Sequence, residues 1–298
     1  MGKKILLTGA AGCLASALYP CLEKQGWQVV LTGLPKEPPH NPVLHPMDIC
    51  DAAQVLKTIE LHRPDWVFHL AAATDVDRCE VEPDYAFRVN TLGTENIVLA
   101  CKKFGAGLVY LSTGVVFGGE KKDPYTEFDA PNPVSVYGRS KLEGEKIVQA
   151  FLDRYYIFRA GWMIGGGKKD KKFVAKILRL METEKEIKVV NDKFGSPTFI
   201  DDMSEHMAKI LLLERYGLYH LCNLGPASRY QIALKMVEIL GRKDVKIIPV
   251  SSSEFLLPAP RAASELMVNY RLNLLGLNSM PHWETSLKNY LFSQKKTI

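Results

Sequence analysis

Ile5-Leu6-Leu7-Thr8-Gly9-Ala10-Ala11-Gly12-Cys13-Leu14-Ala15 is the stretch on which the reading of the fold turns. A short apolar run ends at Thr8, two glycines three apart follow, and an amphipathic segment begins. Glycines at that spacing let the backbone turn sharply and approach a pyrophosphate at a helix N-terminus. Placement carries the argument: the first strand-to-helix turn of a βα series is where dinucleotide folds hold phosphate. Gly9, Ala11, Gly12, Cys13 and Leu14 are therefore the expected cofactor-binding turn. Ala15 stands where a third glycine often sits, at little cost. Pro20, inside the following helix, is expected to kink or shorten it.

Working outward, apolar runs rich in β-branched residues alternate with longer amphipathic stretches. Strands are expected at residues 5–8, 27–31, 66–70, 108–112, 155–159 and 219–223, and helices at 52–61, 91–104, 137–151 and 204–213. Helices of that length suit right-handed crossovers. The pattern predicts an α/β fold built on a doubly wound parallel (Rossmann) sheet. Regularity weakens after Arg159, where a Gly-rich basic loop leads into a helix ending near Glu182 and then a Pro-containing final third. A smaller, discontinuous substrate-binding lobe is expected there. The division assigns residues 1–165 and 196–224 to the dinucleotide-binding domain and 166–195 and 225–298 to the lobe. Gly165-Gly166-Gly167-Lys168-Lys169 reads as a mobile loop.

With 298 residues, 47% of them hydrophobic, the chain can bury a large core. A net charge of +5 tilts the surface toward anionic ligands, but Lys and Arg are spread along the chain, so nucleic acid is not favoured. No apolar stretch reaches membrane-spanning length, and the start lacks the apolar segment of a signal peptide. Cys13, Cys21, Cys50, Cys79, Cys101 and Cys222 form no CxxC pair and read as buried reduced thiols. A cytoplasmic protein is expected. The histidines fall singly, so no metal site is assigned, and His69 is expected to be satisfied within the core. After the second strand the chain reads Leu31-Thr32-Gly33-Leu34-Pro35-Lys36, without the acidic residue that holds ribose hydroxyls in NAD-preferring folds. A hydroxyl and Lys36 would suit the extra phosphate of NADP. Lys36 also reads as an ordinary loop lysine, and NADH stays open.

The chemistry is expected in Tyr137-Gly138-Arg139-Ser140-Lys141, where Tyr137 and Lys141 stand one helical turn apart. A phenol of pKa near 10 serves acid-base chemistry at neutral pH once a neighbouring ammonium lowers it. Upstream, Leu111-Ser112-Thr113-Gly114 ends a strand and projects a hydroxyl at the carboxyl edge of the sheet.

These residues carry a resemblance. The chain resembles the extended short-chain dehydrogenases/reductases and, within them, the dTDP-4-dehydrorhamnose reductase family. The likeness runs through the glycine turn, Met47-Asp48-Ile49, Ala71-Ala72-Ala73-Thr74 with Val76-Asp77 and Glu80, Glu82-Pro83, Val89-Asn90, the block from Tyr137 to Glu145, and Arg159 with Trp162. Its most specific parts are Val189-Val190-Asn191-Asp192-Lys193-Phe194-Gly195-Ser196-Pro197-Thr198 and the late loop of residues 258–272. The resemblance implies reduction of the 4-keto group of a nucleotide-linked deoxysugar, dTDP-4-dehydro-L-rhamnose foremost, by NADPH. It implies Tyr137 as proton donor, Lys141 holding the ribose and tuning Tyr137, and Thr113 bonding the substrate oxygen. Asp48 and Ile49 would contact the adenine, Ala71, Ala72, Ala73 and Asn90 would line the dinucleotide, and Thr74 and Trp162 would meet the sugar. Trp162 otherwise reads as core. Arg261 is a candidate phosphate contact, and the basic residues 168–172 read as solvated lysines or as diphosphate ligands. A homodimer is implied at family level.

One departure stands out: Gly114 and Val115 occupy places where the family usually has an acidic and an aromatic residue, which leaves the exact sugar open. Two rival readings remain. One is a nucleotide-sugar epimerase or dehydratase with tightly bound NAD; the other is a non-catalytic dinucleotide-binding regulatory subunit resembling the β-subunit of methionine adenosyltransferase.

Overall fold

The apolar run at residues 5–8 lies in a central strand. A computed structural model describes residues 3–34, 44–167, 170 and 172–295 and buries Ile5, Leu6 and Leu7 of Lys4–Thr8 (β1) completely. Successive strand side chains point to opposite faces, so continuous burial requires cover on both. After β1 come α1 (Cys13–Lys24), β2 (Gln28–Gly33), β3 (Leu44–Pro46), α2 (Ala52–His62), β4 (Trp66–His69), α3 (Val76–Val81) and α4 (Pro83–Phe87). A π turn at Arg88–Leu92 then runs into α5 (Gly93–Phe104), followed by β5 (Gly107–Thr113), α6 (Val136–Phe151) and β6 (Tyr155–Ala160).

Beyond β6 the elements are β7 (Trp162–Ile164), α7 (Phe173–Thr183), β8 (Glu186–Val190), β9 (Phe194–Gly195), β10 (Pro197–Phe199), α8 (Ile200–Leu211) and β11 (Gly217–His220). The chain ends in β12 (Ala227–Ser228), α9 (Arg229–Leu240), β13 (Lys246–Val250), β14 (Ser264–Glu265), α10 (Tyr270–Leu274) and α11 (Trp283–Lys295).

Among the described residues, seven strands form a parallel sheet in the order β11-β6-β5-β4-β1-β2-β3. The winding reverses between β1 and β4, and ligands in such sheets bind outside the carboxyl ends at that point. One face is covered by Leu14, Leu18 and Leu22 of α1 with Met203, Met207 and Leu211 of α8. On the other lie Val55 and Ile59 of α2, Ile97, Val98 and Cys101 of α5, and Val148 of α6. Each such large aliphatic contributes roughly 1.5–3 kcal/mol by leaving water. A separate core joins Val174, Ile177 and Met181 of α7 to Ile187, Ile232, Met236, Ile247, Trp283 and Leu287, the apolar interior of the later segments.

Three local expectations differ from the structure. Helix α1 runs through Pro20, which is exposed, so that water can satisfy the Ser16 carbonyl that the ring leaves without a donor. Strand β3 was not anticipated, because Leu44-His45-Pro46 carries no β-branched residue. The last sheet strand lies at Gly217–His220 rather than at 219–223. Residues 221–223 are buried beyond the strand, the Leu221 N–H donating to the Arg159 carbonyl and the Asn223 N–H to the Pro197 carbonyl, both at 3.0 Å, while the Asn223 side-chain amide donates to Asp202 Oδ2 at 2.7 Å and Ser286 Oγ at 2.9 Å. All six cysteines are free; Cys79, Cys101 and Cys222 are buried as expected, whereas Cys13, Cys21 and Cys50 are only half-buried.

Candidate active site

The glycine turn meets the sheet at its switch point. Gly9 has φ +67°, a left-handed conformation that a side chain strains, and a Cβ there would lie 2.8 Å from Ala71 N and 2.9 Å from Ala71 Cα. The Gly12 N–H closes the turn onto the Gly9 carbonyl at 2.9 Å, and α1 begins at Cys13. Ala11 and Cys13 are half-buried, Gly12 is exposed and Leu14 buried. Gly166 lies against this end of the helix, where a Cβ would stand 2.7 Å from Cys13 Sγ. An N-terminus with unsatisfied amides next to a glycine turn suits a pyrophosphate. The Thr32 hydroxyl, expected to face an NADP phosphate, is buried and donates to the Leu7 carbonyl at 3.2 Å, which corrects that reading; Lys36 lies outside the described residues.

The neighbouring backbone is held by a chain of polar contacts. Thr8 Oγ1 accepts the Leu70 and Ala71 N–H groups, both at 3.1 Å, and lies 2.9 Å from His69 Nδ1. At 3.1 Å from His69 Nε2 sits Thr94 Oγ1, which donates to the Asn90 carbonyl at 2.7 Å. A hydroxyl has one proton. That of Thr94 is spent on Asn90, so Nε2 carries the imidazole hydrogen and Thr8 donates to Nδ1. Burial holds His69 down at about 3, hence neutral, and its place in the core is as expected. Asn90 turns its amide onto Ala73, accepting the Ala73 N–H at 2.8 Å and donating to the Ala73 carbonyl at 3.1 Å and to Ser140 Oγ at 3.0 Å. Asn90 therefore acts through the segment from Ala71 to Ala73. Asp48 is half-buried and accepts the Cys50 N–H at 2.9 Å, Ile49 is buried, and Thr74 is exposed.

Helix α6 starts at Ser135, whose side chain accepts the Gly138 N–H at 3.2 Å, and Glu80 takes the Val136 N–H at 2.9 Å. Lys141 then packs against Tyr110 of β5, and Thr113 at the end of that strand is the group that pulls the Tyr137 phenol downward. Burial pushes Tyr137 up to about 12, against the downward pull of Thr113, and brings Lys141 down to about 7, against the attraction of Glu145. The expected depression of Tyr137 by Lys141 is not found: burial dominates, only Thr113 pulls the phenol down, and the phenol keeps its proton and can donate it. Lys141 Nζ lies 4.0 Å from the centre of the Tyr110 ring, a cation–π contact. One turn further on, Glu145 accepts from Ser112 and is gripped by Arg159 Nε at 2.9 Å and Nη2 at 2.6 Å, tying α6 to β5 and β6.

Trp162 is fixed rather than loose. Its Nε1–H donates to Glu265 Oε2 at 3.0 Å, and the Arg229 guanidinium lies 4.2 Å from its ring centre. Arg261 is occupied: it pairs with Asp77 at 3.0 Å and donates to the Ala259 carbonyl at 2.9 Å. Asp170 anchors the basic loop from inside, accepting the Lys172 N–H at 2.8 Å, while residues 168, 169 and 171 lie outside the described residues. Arg229 and Glu265 were missed from sequence, since neither stands in a motif with chemistry of its own. Among the described residues no cluster of His, Cys, Asp or Glu is placed to hold a metal ion.

The RmlD substrate binding domain family model matches residues 3–295. A dTDP-4-dehydrorhamnose reductase of Streptomyces griseus is 34% identical over 288 residues, 95% of this chain and 91% of that protein. The crystal structure of a dTDP-4-dehydrorhamnose reductase from Clostridium acetobutylicum superposes with a TM-score of 0.89 at 34% identity, covering 98% of this chain and 99% of the other. That of the Bacillus anthracis dTDP-4-dehydrorhamnose reductase in complex with NADP gives 0.88 at 32% identity, covering 98% and 100%. With matches that run from the first strand to the last helix, the chain belongs to the RmlD substrate-binding domain family.

Proposed function

We propose that the protein reduces the 4-keto group of a nucleotide-linked deoxysugar with NADPH, converting dTDP-4-dehydro-L-rhamnose to dTDP-L-rhamnose, with NADH as the weaker donor. The observation that carries this reading is the protonated Tyr137 phenol beside Thr113, one turn from Lys141, at the carboxyl end of β5. The Gly9 turn fits a dinucleotide, because its backbone packs against Ala71 with no room for a side chain and opens onto the start of α1. NADPH, when bound there, supplies the hydride.

The chain's own residues do the rest. Thr113 and Tyr137 hold the carbonyl oxygen by hydrogen bonds that strengthen as charge develops on it. Tyr137 delivers its phenolic proton to that oxygen, and Lys141 stabilises the phenolate left behind and holds the ribose. Residues 1–165 and 196–224 would carry the dinucleotide and 166–195 and 225–298 the nucleotide sugar, with Trp162 against the ring. The free cysteines suit a cytoplasmic enzyme, and a homodimer is proposed as its assembly. A binding-only role would leave the proton of the Tyr137 phenol without purpose.

Tyr137→Phe tests the reading. Turnover is expected to fall by roughly two to four orders of magnitude, while NADPH affinity, measured by fluorescence titration, stays close to that of the wild type. Turnover equal to wild type would remove Tyr137 from the chemistry.

A further inference from the structure

We propose that Glu265 reads the substrate: its carboxylate accepts a hydrogen bond from the ring hydroxyl next to the carbonyl being reduced. The inference rests on the reductase reading and names what that site recognises.

Glu265 is only 7% exposed, and one of its oxygens, Oε2, takes the Trp162 indole N–H at 3.0 Å. Among the described residues, Oε1 accepts no hydrogen bond and the carboxylate has no ion-pair partner. Buried carboxylates are normally paired or fully hydrogen-bonded, because a charge without partners in a low dielectric is costly. Burial accordingly pushes Glu265 up, against the attraction of Arg229, Arg261 and Lys193. Those cations are engaged elsewhere: Arg261 on Asp77, Lys193 on the Arg261 carbonyl at 2.9 Å, and Arg229 over the rings of Trp162 and Phe173. They lend Glu265 a favourable field and no bond.

The surroundings aim the residue at the chemistry. Glu265 pairs in register with Gly195, and a Cβ on Gly195 would stand 2.5 Å from Trp162 Cζ2, so the backbone of β9 holds the indole in place. The charge of Glu265 is felt at Tyr137. Beside Thr113 the nearest wall on the Gly114 side is the Met267 thioether: a Cβ there would meet Met267 Cε at 3.0 Å and Sδ at 3.2 Å, with the Ala160 carbonyl oxygen farther off at 3.7 Å. An ionised carboxylate only accepts hydrogen bonds, so a donor completes it. On a 4-keto-6-deoxy sugar, one carbon flanking the carbonyl bears the methyl group and the other bears a hydroxyl. That hydroxyl is the donor.

The test compares the NADP-loaded wild type, Glu265→Gln and Glu265→Leu by calorimetric titration with dTDP-L-rhamnose and with its 3-deoxy analogue. Glu265→Gln retains an acceptor for Trp162 and so preserves the fold should Glu265→Leu lose it. The wild type is expected to bind the hydroxylated sugar roughly ten- to a hundredfold more tightly, and both variants are expected to bring the two sugars within about threefold. A preference that survives in Glu265→Gln, equal losses for both sugars, or a wild type indifferent to the hydroxyl would overturn the proposal. Failure to oxidise NADPH with the keto sugar would overturn the reductase reading separately, and the binding preference would still decide the role of Glu265.

Discussion

Lys141 is the residue at which stability and function pull in opposite directions. It is 2% exposed and sits at about 7, against 10.5 for a free lysine. The unfolded chain therefore binds this proton more readily than the native protein between those values, and native stability rises with pH across that window. Below about 7 the side chain is charged in both states and the full burial penalty remains. Lys141→Met should accordingly melt at a higher temperature than the wild type at pH 7 and below, with the gap closing toward pH 10.5. Turnover should fall roughly a hundredfold or more. Calorimetric melts across that range check it; a variant less stable than the wild type at neutral pH would contradict the buried-charge account.

Among elements, the segment after β4, proposed to line the dinucleotide, is held by side chains of neighbouring elements. Asn90, on the π turn between α4 and α5, satisfies both backbone groups of Ala73, while Thr8 holds Leu70 and Ala71. Asn90→Ala leaves the Ala73 N–H and carbonyl without these partners, at about 1–3 kcal/mol. NADPH affinity is expected to weaken on the order of tenfold; an unaltered dissociation constant would show that the segment keeps its shape without Asn90. The family resemblance named Asn90 as lining the dinucleotide; its role as a brace on Ala73 was not legible, because bracing depends on a π turn that no spacing rule announces. Glu265 was illegible for a similar reason. Its partner Trp162 is 103 residues away, and only the pairing of β14 with β9 brings them together.

At the scale of the molecule, the alternation of apolar runs and amphipathic stretches was enough to specify the doubly wound sheet, since parallel strands buried on both faces leave that imprint. What escaped were features set by tertiary context: the edge strand β3, the continuity of α1 through Pro20 and the early end of β11 at His220. Two buried imidazoles, His69 and His220, each held down at about 3, give the whole fold an acid sensitivity. Both stay neutral in the native state while the unfolded chain protonates below 6.5, so stability falls as pH drops from 6.5 toward 3. The slope reaches up to about 1.4 kcal/mol per pH unit for each histidine, and urea titrations through that range would measure it; a flat profile would mean that the imidazoles find water or counter-charges in the native state. The central claim, hydride delivered from NADPH to a keto sugar, is tested most directly by mixing the purified protein with NADPH and enzymatically generated dTDP-4-dehydro-L-rhamnose and following the near-ultraviolet absorbance of the reduced nicotinamide. Loss of absorbance that requires both protein and sugar, faster with NADPH than with NADH, is the predicted result; a steady signal from protein shown separately to bind the dinucleotide would contradict it.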